Sequence, residues 1–218
     1  MTKTKEQILI DAESFVREAL EAESSGHDWW HIERVRKNAK KIAEMENADT
    51  YIVELAALLH DIADGKLNAT EEEGVARVVE WLDNNDVSLE DKNHVLDIVT
   101  KMSFKGGNQS ENVSTLEGRI VQDADRLDAM GAMGIARVMV YSGHVGRPVH
   151  DPEMKPRENL SLEEYRSGKD TAIMHFYEKL LKVKDTMNTD YARTMAEGRH
   201  KYLENYLEQF YAEWDARR

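Results

Sequence analysis

Two histidines and an aspartate occur where the surrounding sequence is otherwise apolar. His31 precedes Ile32 and lies one helical turn before Val35, and the adjacent pair His60-Asp61 ends the most hydrophobic stretch of the chain. Burying an imidazole and a carboxylate there would cost on the order of several kcal/mol unless they were paired or bound to metal. The pattern favours either a metal site or polar side chains that are satisfied within the core.

The chemistry of a metal site follows from these residue types. Two imidazole nitrogens and carboxylate oxygens form a borderline-hard donor set, which suits Mn, Fe, Co, Ni or Zn and also accommodates Mg. A divalent metal ion with open positions would act as a Lewis acid and activate a water molecule for hydrolysis. A single histidine on a helix is usually structural, so the spacing alone does not choose between these interpretations.

Further polar residues are candidates for catalysis or substrate binding, two of them near His31 and one in a later predicted loop. His27, one turn before His31, would assist the site or transfer protons, and Arg34, one turn after it, would bind phosphate or form a structural salt bridge. Lys105 is followed by two glycines and would offer a cation and free amides to an anion, although most such loops are only turns.

The elements that must position these residues are helical, since apolar residues recur at helical spacing and no strand pattern of useful length occurs. We therefore expect an all-α fold. Helices are predicted over apolar residues within 8–20, 32–43, 52–59, 173–187 and 191–214, and after the caps Thr70-Glu73, Ser88-Asp91, Ser114-Glu117 and Ser161-Glu164. Gly65 is expected to end the third helix, and a loop is expected over 103–108.

All three prolines fall within the stretch from Ser142 to about Leu160, which is predicted to be irregular. Long loops within compact domains are often functional, so this stretch is a candidate pocket wall. Arg147, His150 and Lys155 are its candidate cations.

The composition narrows the classes of function. The net charge is −13 and the pI is near 5.1, which disfavours a main role in binding nucleic acid polymers. A metal ion and a few local cations would still accommodate a small phosphorylated substrate. The chain has no cysteine and no stretch that would span a membrane, so we expect a cytoplasmic protein without disulfides.

His31, His60-Asp61 and a later aspartate resemble the H…HD…D signature of the HD-domain superfamily. The segment 122–129, Gln-Asp-Ala-Asp-Arg-Leu-Asp-Ala, resembles that superfamily's Ala-Asp-Arg-Leu element. The resemblance extends over about 26–130 and implies that His31, His60, Asp61 and Asp125 bind one divalent metal ion. It also implies an HD-domain helical bundle within a single domain, 1–218, with additional C-terminal helices of about 161–216 packed on it.

The fourth metal ligand is the point on which periodicity and motif disagree. On a helix with Ile120, Ala124 and Leu127 inward, Asp128 faces the apolar side more than Asp123 or Asp125 does. The superfamily motif instead implies the acid between alanine and arginine, which is Asp125. We follow the motif.

The resemblance also implies an activity. Asp64 matches a position where some HD phosphohydrolases carry a general acid or base, and the alternative is a solvated acid just before Gly65. The stretch Gly146-Arg147-Pro148 is similar to a bacterial subgroup for which nucleotide pyrophosphohydrolase activity is implied, so a nucleoside triphosphate would yield monophosphate and pyrophosphate. The candidate cations for its phosphates are Arg34, Lys66, Lys105 and Arg147.

Other functions fit the same signature. Phosphomonoester or cyclic-phosphodiester hydrolysis is the nearest alternative, and a non-catalytic metal-binding or nucleotide-binding regulator is an alternative of another class. A plain helical scaffold would leave the His60-Asp61 pair unexplained. The terminal helices have exposed faces on which a homodimer surface would fit.

Overall fold

The computed structural model describes residues 2–21, 28–63, 68–102, 113–157 and 170–217, and within these ranges the chain is helical without strands. The all-α prediction is confirmed. The α-helices are α1 (Lys5–Ala19), α2 (Trp29–Glu46), α3 (Thr50–Leu59), α4 (Glu71–Asn84), α5 (Leu89–Met102), α6 (Leu116–Asp128), α7 (Gly131–His144), α8 (Ala172–Glu178) and α9 (Asp190–Trp214). Two 3-10 helices cover His60–Ala63 and Leu180–Thr186. None of the helices in these ranges is long and apolar enough to cross a membrane.

The chain forms two compact units, Met1–Ala124 and Asp125–Arg218. The division falls inside the continuous helix α6, so Asp125 extends a helix that begins in the first unit. In the first unit, α3 packs against α1, α2 and α5.

Helix α3 is buried on every side, as its apolar sequence predicts. Each residue from Tyr51 to Leu59 is buried, including Glu54, whose carboxylate pairs with Arg36 and Lys40 at 2.9 and 3.1 Å. The helix begins at a side-chain cap, since Asp49 accepts hydrogen bonds from the amides of residues 51 and 52. The 3-10 helix that carries His60-Asp61 therefore starts from a rigid support.

In the second unit, helices α7, α8 and α9 and the second 3-10 helix pack around one hydrophobic cluster. Its buried members are Val138, Ala172, Ile173, Phe176, Leu180, Leu203 and Leu207. Burial of one such aliphatic or aromatic side chain stabilises a fold by roughly 1.5–3 kcal/mol.

The prediction that irregular chain begins at Ser142 is wrong by three residues, because α7 continues to His144. Ser142 is buried on the inner side of this helix, one turn after Val138. Gly146 then adopts a left-handed conformation with φ 68° and ends the helical path. All three prolines lie beyond this point.

The prediction of one helix over 173–187 is also wrong, because α8 ends at Glu178 and a 3-10 helix follows. Lys179 leaves the helical conformation at φ −133° and ψ −63°. In a 3-10 helix, residues three apart share one face. The change of helix type therefore buries both Leu180 and Val183.

The predicted caps agree with the structure except at α6. Thr70 and Ser88 accept hydrogen bonds from the amides three residues on, at 3.2 and 3.1 Å. At α6 the capping hydroxyl belongs to Thr115, which accepts from Gly118, so the predicted cap at Ser114 is wrong by one residue. The predicted helix end at Gly65, loop over 103–108 and cap at Ser161 lie outside the described residues.

Candidate metal centre

His31 lies in the first turn of α2 and is only 1 % exposed. The turn is fixed by Asp28, the N-cap residue, whose Oδ1 accepts a hydrogen bond of 2.9 Å from the His31 amide. The neighbouring Ile32 is fully buried. The cap and the buried neighbour together set the direction in which the imidazole leaves the helix.

His60 and Asp61 follow α3 directly and are 7 % and 6 % exposed. Nδ1 of His60 lies 2.8 Å from the carbonyl oxygen of Ala57, three residues earlier. That carbonyl can only accept a hydrogen bond, so Nδ1 is the donor, and in the neutral ring Nε2 then carries the lone pair. A second hydrogen bond of this kind is typical of histidines that bind metal through the other nitrogen.

The Asp61 carboxylate lies against both imidazoles. Its Oδ1 is 3.3 Å from Nε2 of His60, and its Oδ2 is 3.4 Å from Nε2 of His31. The two rings are 5.7 Å apart at 64° to each other. One carboxylate therefore spans two ring nitrogens at a buried point.

Asp125 lies in α6 and is partly buried. One of its carboxylate oxygens and one ring nitrogen of each of His31 and His60 lie within 4.8 Å of one another. These three residues with Asp61 are the four metal ligands that the sequence motif implies.

The arrangement fits a divalent cation by its own chemistry. Nε2 of His60 is buried and makes no hydrogen bond within the described residues. Ligand atoms that share one metal ion at about 2.1 Å are roughly 3–4 Å apart, so the nitrogen–oxygen distances at Asp61 are already close to those of a coordination sphere. Two nitrogens and two carboxylates are a donor set that first-row divalent metals accept.

Asp128 has different surroundings. It is 1 % exposed, as the helical wheel predicted, and its Oδ2 accepts a hydrogen bond of 2.8 Å from Arg137. Burial lowers the pKa of Arg199, and the charge on Asp128 opposes that shift. Periodicity thus predicted the burial of Asp128 correctly, but it was wrong about Asp123, which is fully buried. Asp128 faces arginines, whereas Asp125 lies with the two histidines.

The other predicted site residues are spread through the chain. Arg34 is half-buried on α2, and Arg147 forms an ion pair of 2.9 Å with the buried Asp170 in the second unit. His150 packs edge-on against the rings of Phe210, Tyr211 and Trp214. The remaining predicted site residues lie outside the described residues: His27, Asp64, Lys66 and Lys105.

Two residues that form hydrogen bonds with the ligand-bearing turns were not predicted. Asp28 was visible as an N-cap signal, an acid just before an apolar helical stretch. Asn68 was not, because its side-chain amide donates to the carbonyl of Ile62 in the His60–Ala63 helix, and a hydrogen bond to the main chain leaves no pattern in the sequence.

Comparisons with known proteins identify the family of this chain. The HD-domain family profile matches residues 29–130. The protein YpgQ of Bacillus subtilis is 41 % identical over 197 residues, which cover 90 % of this chain and 88 % of that protein.

Solved structures are similar over nearly the whole chain. An HD-superfamily hydrolase from Bacillus thuringiensis is 46 % identical with a TM-score of 0.81, covering 98 % of this chain and 100 % of that one. The crystal structure of Bacillus subtilis YpgQ in complex with ADP is 40 % identical with a TM-score of 0.76, covering 94 % and 97 %. This chain belongs to the HD-domain family and is a metal-dependent hydrolase of the HD superfamily.

Proposed function

We propose that this hydrolase cleaves phosphate bonds with one divalent metal ion held by His31, His60, Asp61 and Asp125. The observation that carries the proposal is the position of the Asp61 carboxylate, 3.3 and 3.4 Å from Nε2 of the two histidines. The buried Nε2 of His60, with its proton on the other ring nitrogen, supports a role as a neutral metal ligand.

A nucleotide is the proposed substrate. The solved structure of YpgQ contains ADP, which supports a ligand with a base, a sugar and a phosphoanhydride. We propose that a nucleoside triphosphate is converted to the monophosphate and pyrophosphate. Phosphomonoester hydrolysis is the alternative reaction at the same donor set.

The metal, when bound, supplies Lewis-acid activation of water and offsets charge on the phosphate oxygens. His31 and His60 would hold it as neutral imidazoles, and Asp61 and Asp125 would contribute negative charge. Asp64 accepts a proton from the attacking water, whose oxygen forms a new bond to the α-phosphorus as the bond from that phosphorus to the bridging oxygen breaks. Pyrophosphate leaves with the bridging oxygen, and His27 assists proton transfer.

Cations for the departing phosphates are proposed to be Arg34, Lys66 and Lys105, with Arg147 as the weakest candidate. Arg147 is only about one-tenth exposed and already pairs with Asp170 at 2.9 Å, so its charge is largely compensated. Lys105→Ala should therefore weaken triphosphate hydrolysis more than Arg147→Lys does, and it should leave metal content unchanged.

The test is a product-resolved screen by phosphorus NMR. The purified protein is incubated with nucleoside triphosphates, monophosphates and cyclic monophosphates in the presence of Mn²⁺, Mg²⁺, Ni²⁺ or Zn²⁺, with His60→Ala as the control for contaminating phosphatases. Pyrophosphate is expected as the first product from triphosphates. Orthophosphate as the first product, or rapid attack on monophosphates, would assign a phosphatase, and nucleotide binding without turnover would assign a regulator.

A further inference from the structure

The 3-10 helix that carries His60 and Asp61 is in close contact with α4 through Gly74. A Cβ atom at Gly74 would lie 2.6 Å from the carbonyl oxygen of Ala63 and 2.6 Å from Nδ2 of Asn68. Contacts under 3.0 Å are essentially never made by real Cβ atoms. Only glycine allows the backbone of α4 to approach the last residue of the 3-10 helix this closely.

Asn68 links the same 3-10 helix to α4 a second time. Its Nδ2 donates a hydrogen bond of 2.8 Å to the carbonyl of Ile62, and its Oδ1 accepts one of 3.0 Å from Arg77, which lies on α4 one turn after Gly74. The last carbonyls of a short helix have no partner within the helix, so the Asn68 amide satisfies one that would otherwise need water.

We propose that Gly74 and Asn68 are positioning residues that set the geometry of the metal ligands His60 and Asp61. The 3-10 helix has four residues, too few to hold its own conformation by internal hydrogen bonds. Its start is held by α3 and by the bond from His60 to Ala57. Its end is held by the two contacts with α4, and Asp61 is the residue just before Ile62.

The same contacts involve Ala63 and Asn68, the described residues on either side of 64–67 in the sequence. Ala63 is held by Gly74, and Asn68 is held by Ile62 and Arg77. The proposal rests on the proposed metal site, since it concerns how the ligands of that site are held.

The test measures binding of Co²⁺ alone, by chelator competition and by the visible absorption of the bound ion. Gly74→Ala places a Cβ against Ala63, and Asn68→Asp removes the donor to Ile62 while keeping the acceptor for Arg77. We expect both variants to bind Co²⁺ roughly 10- to 100-fold more weakly than wild type, with a changed absorption spectrum.

Matched controls separate positioning from loss of stability. Gly198→Ala adds a Cβ where no atom lies within 4 Å, and Asn205→Asp makes the same amide-to-acid change at an exposed position of α9. Leu207→Ala lowers stability through the core of the second unit. All three should keep the wild-type Co²⁺ affinity and spectrum.

Each outcome decides a different question. Folded Gly74→Ala and Asn68→Asp proteins with wild-type affinity and spectrum would overturn the positioning role. Equal Co²⁺ binding by wild type and His60→Ala would instead overturn the metal site, and the positioning role with it. Where Gly74→Ala does not fold, Asn68→Asp decides. Where neither folds, Arg77→Ala decides, because it removes only an exposed side chain that holds Asn68.

Discussion

Two regions with buried carboxylates differ in the side chains that face those carboxylates. In the second unit, the buried acids Asp128, Asp170 and Glu178 pair with Arg137, Arg147 and Arg157 at 2.8–2.9 Å. In the first unit, Glu54 pairs with Arg36 and Lys40 in the same way, whereas at the candidate metal centre Asp61 lies 3.3 and 3.4 Å from two imidazole nitrogens. A guanidinium keeps its charge at any pH a protein meets, whereas an imidazole loses its proton near pH 6.5 and then binds metals.

The arginine–carboxylate pairs are permanent structural interactions. The carboxylate that faces histidines instead belongs to a site that can bind a metal ion. Burial raises the pKa of the Glu178 carboxyl, but its hydrogen bonds with Arg157 outweigh this effect, and the net pKa is lowered. Because Arg157 already compensates its charge, the Glu178 carboxylate does not need another cation. At Asp61 the partners are imidazole nitrogens, which in the neutral ring offer lone pairs to a divalent ion. Acidic side chains in the core thus have different roles according to whether arginine or histidine faces them.

The largest expected effect is at His60. His60→Ala should lower hydrolysis by at least about 10⁴-fold, because the bound metal is the source of the activated water. Elemental analysis should show the loss of about one metal ion per chain. His144→Ala, at an exposed histidine of α7, should keep both metal and activity. Equal metal content in the two variants would contradict the assignment of the histidine-facing carboxylate to a metal site.

Asp125 and Asp128 should respond in opposite ways. Asp128→Ala leaves Arg137 without its buried partner and should lower the free energy of unfolding by about 3–5 kcal/mol while metal content stays at the wild-type level. Asp125→Ala should lose metal with a smaller change in the stability of the metal-free protein. Denaturant unfolding in the presence of a chelator, together with elemental analysis, measures both. Metal loss only in Asp128→Ala would favour the helical wheel over the motif.

Acid should destabilise the second unit through His175. Burial, with Lys179 and Arg147 nearby, lowers the pKa of this histidine from 6.5 to about 4, so the folded state keeps it neutral. The unfolded chain takes up its proton at higher pH. The contribution of neutral His175 to the free energy of unfolding, about 3 kcal/mol, is therefore present above pH 6.5 and is lost as the pH falls to 4.

Unfolding of the metal-free protein between pH 7 and pH 4 checks this expectation. His175→Gln should lack this part of the decline, and His144→Gln should behave as wild type. A decline of the same size in His175→Gln would assign the acid sensitivity to other groups.

The smallest effects are expected at two helix caps. Asp28 caps α2 beside His31, and Thr171 caps α8 in the second unit. Replacement of either residue by alanine should cost about 1 kcal/mol of stability. Only Asp28→Ala should also weaken Co²⁺ binding, since its cap fixes the turn that carries a metal ligand. Equal Co²⁺ affinity in Asp28→Ala and Thr171→Ala would show that the cap does not orient His31.

Features of the fold that depend on residues close together in the sequence were predicted, and features that depend on tertiary packing were not. The buried helix α3 and the caps at Thr70 and Ser88 were predictable because apolar runs and capping hydroxyls act over a few residues. The break at Lys179 was not, since it depends on which side chains the second unit buries.

At the site, the motif supplied His31, His60, Asp61 and Asp125, and the structure brings these four residues together. Periodicity favoured Asp128, because spacing reports burial and not the partner of a buried charge. The contact of Gly74 with Ala63 could not be inferred from either signal, since it joins two backbones.

The complete burial of α3 has a kinetic consequence. An amide in a helix that no solvent reaches exchanges its hydrogen for deuterium only when the surrounding unit opens. The amides of residues 54–59 should therefore be among the slowest to exchange in the first unit. His60 and Asp61 follow directly from this helix, so large fluctuations of these ligands should require the same rare opening. Release of the metal would then be slow even where its equilibrium affinity is modest.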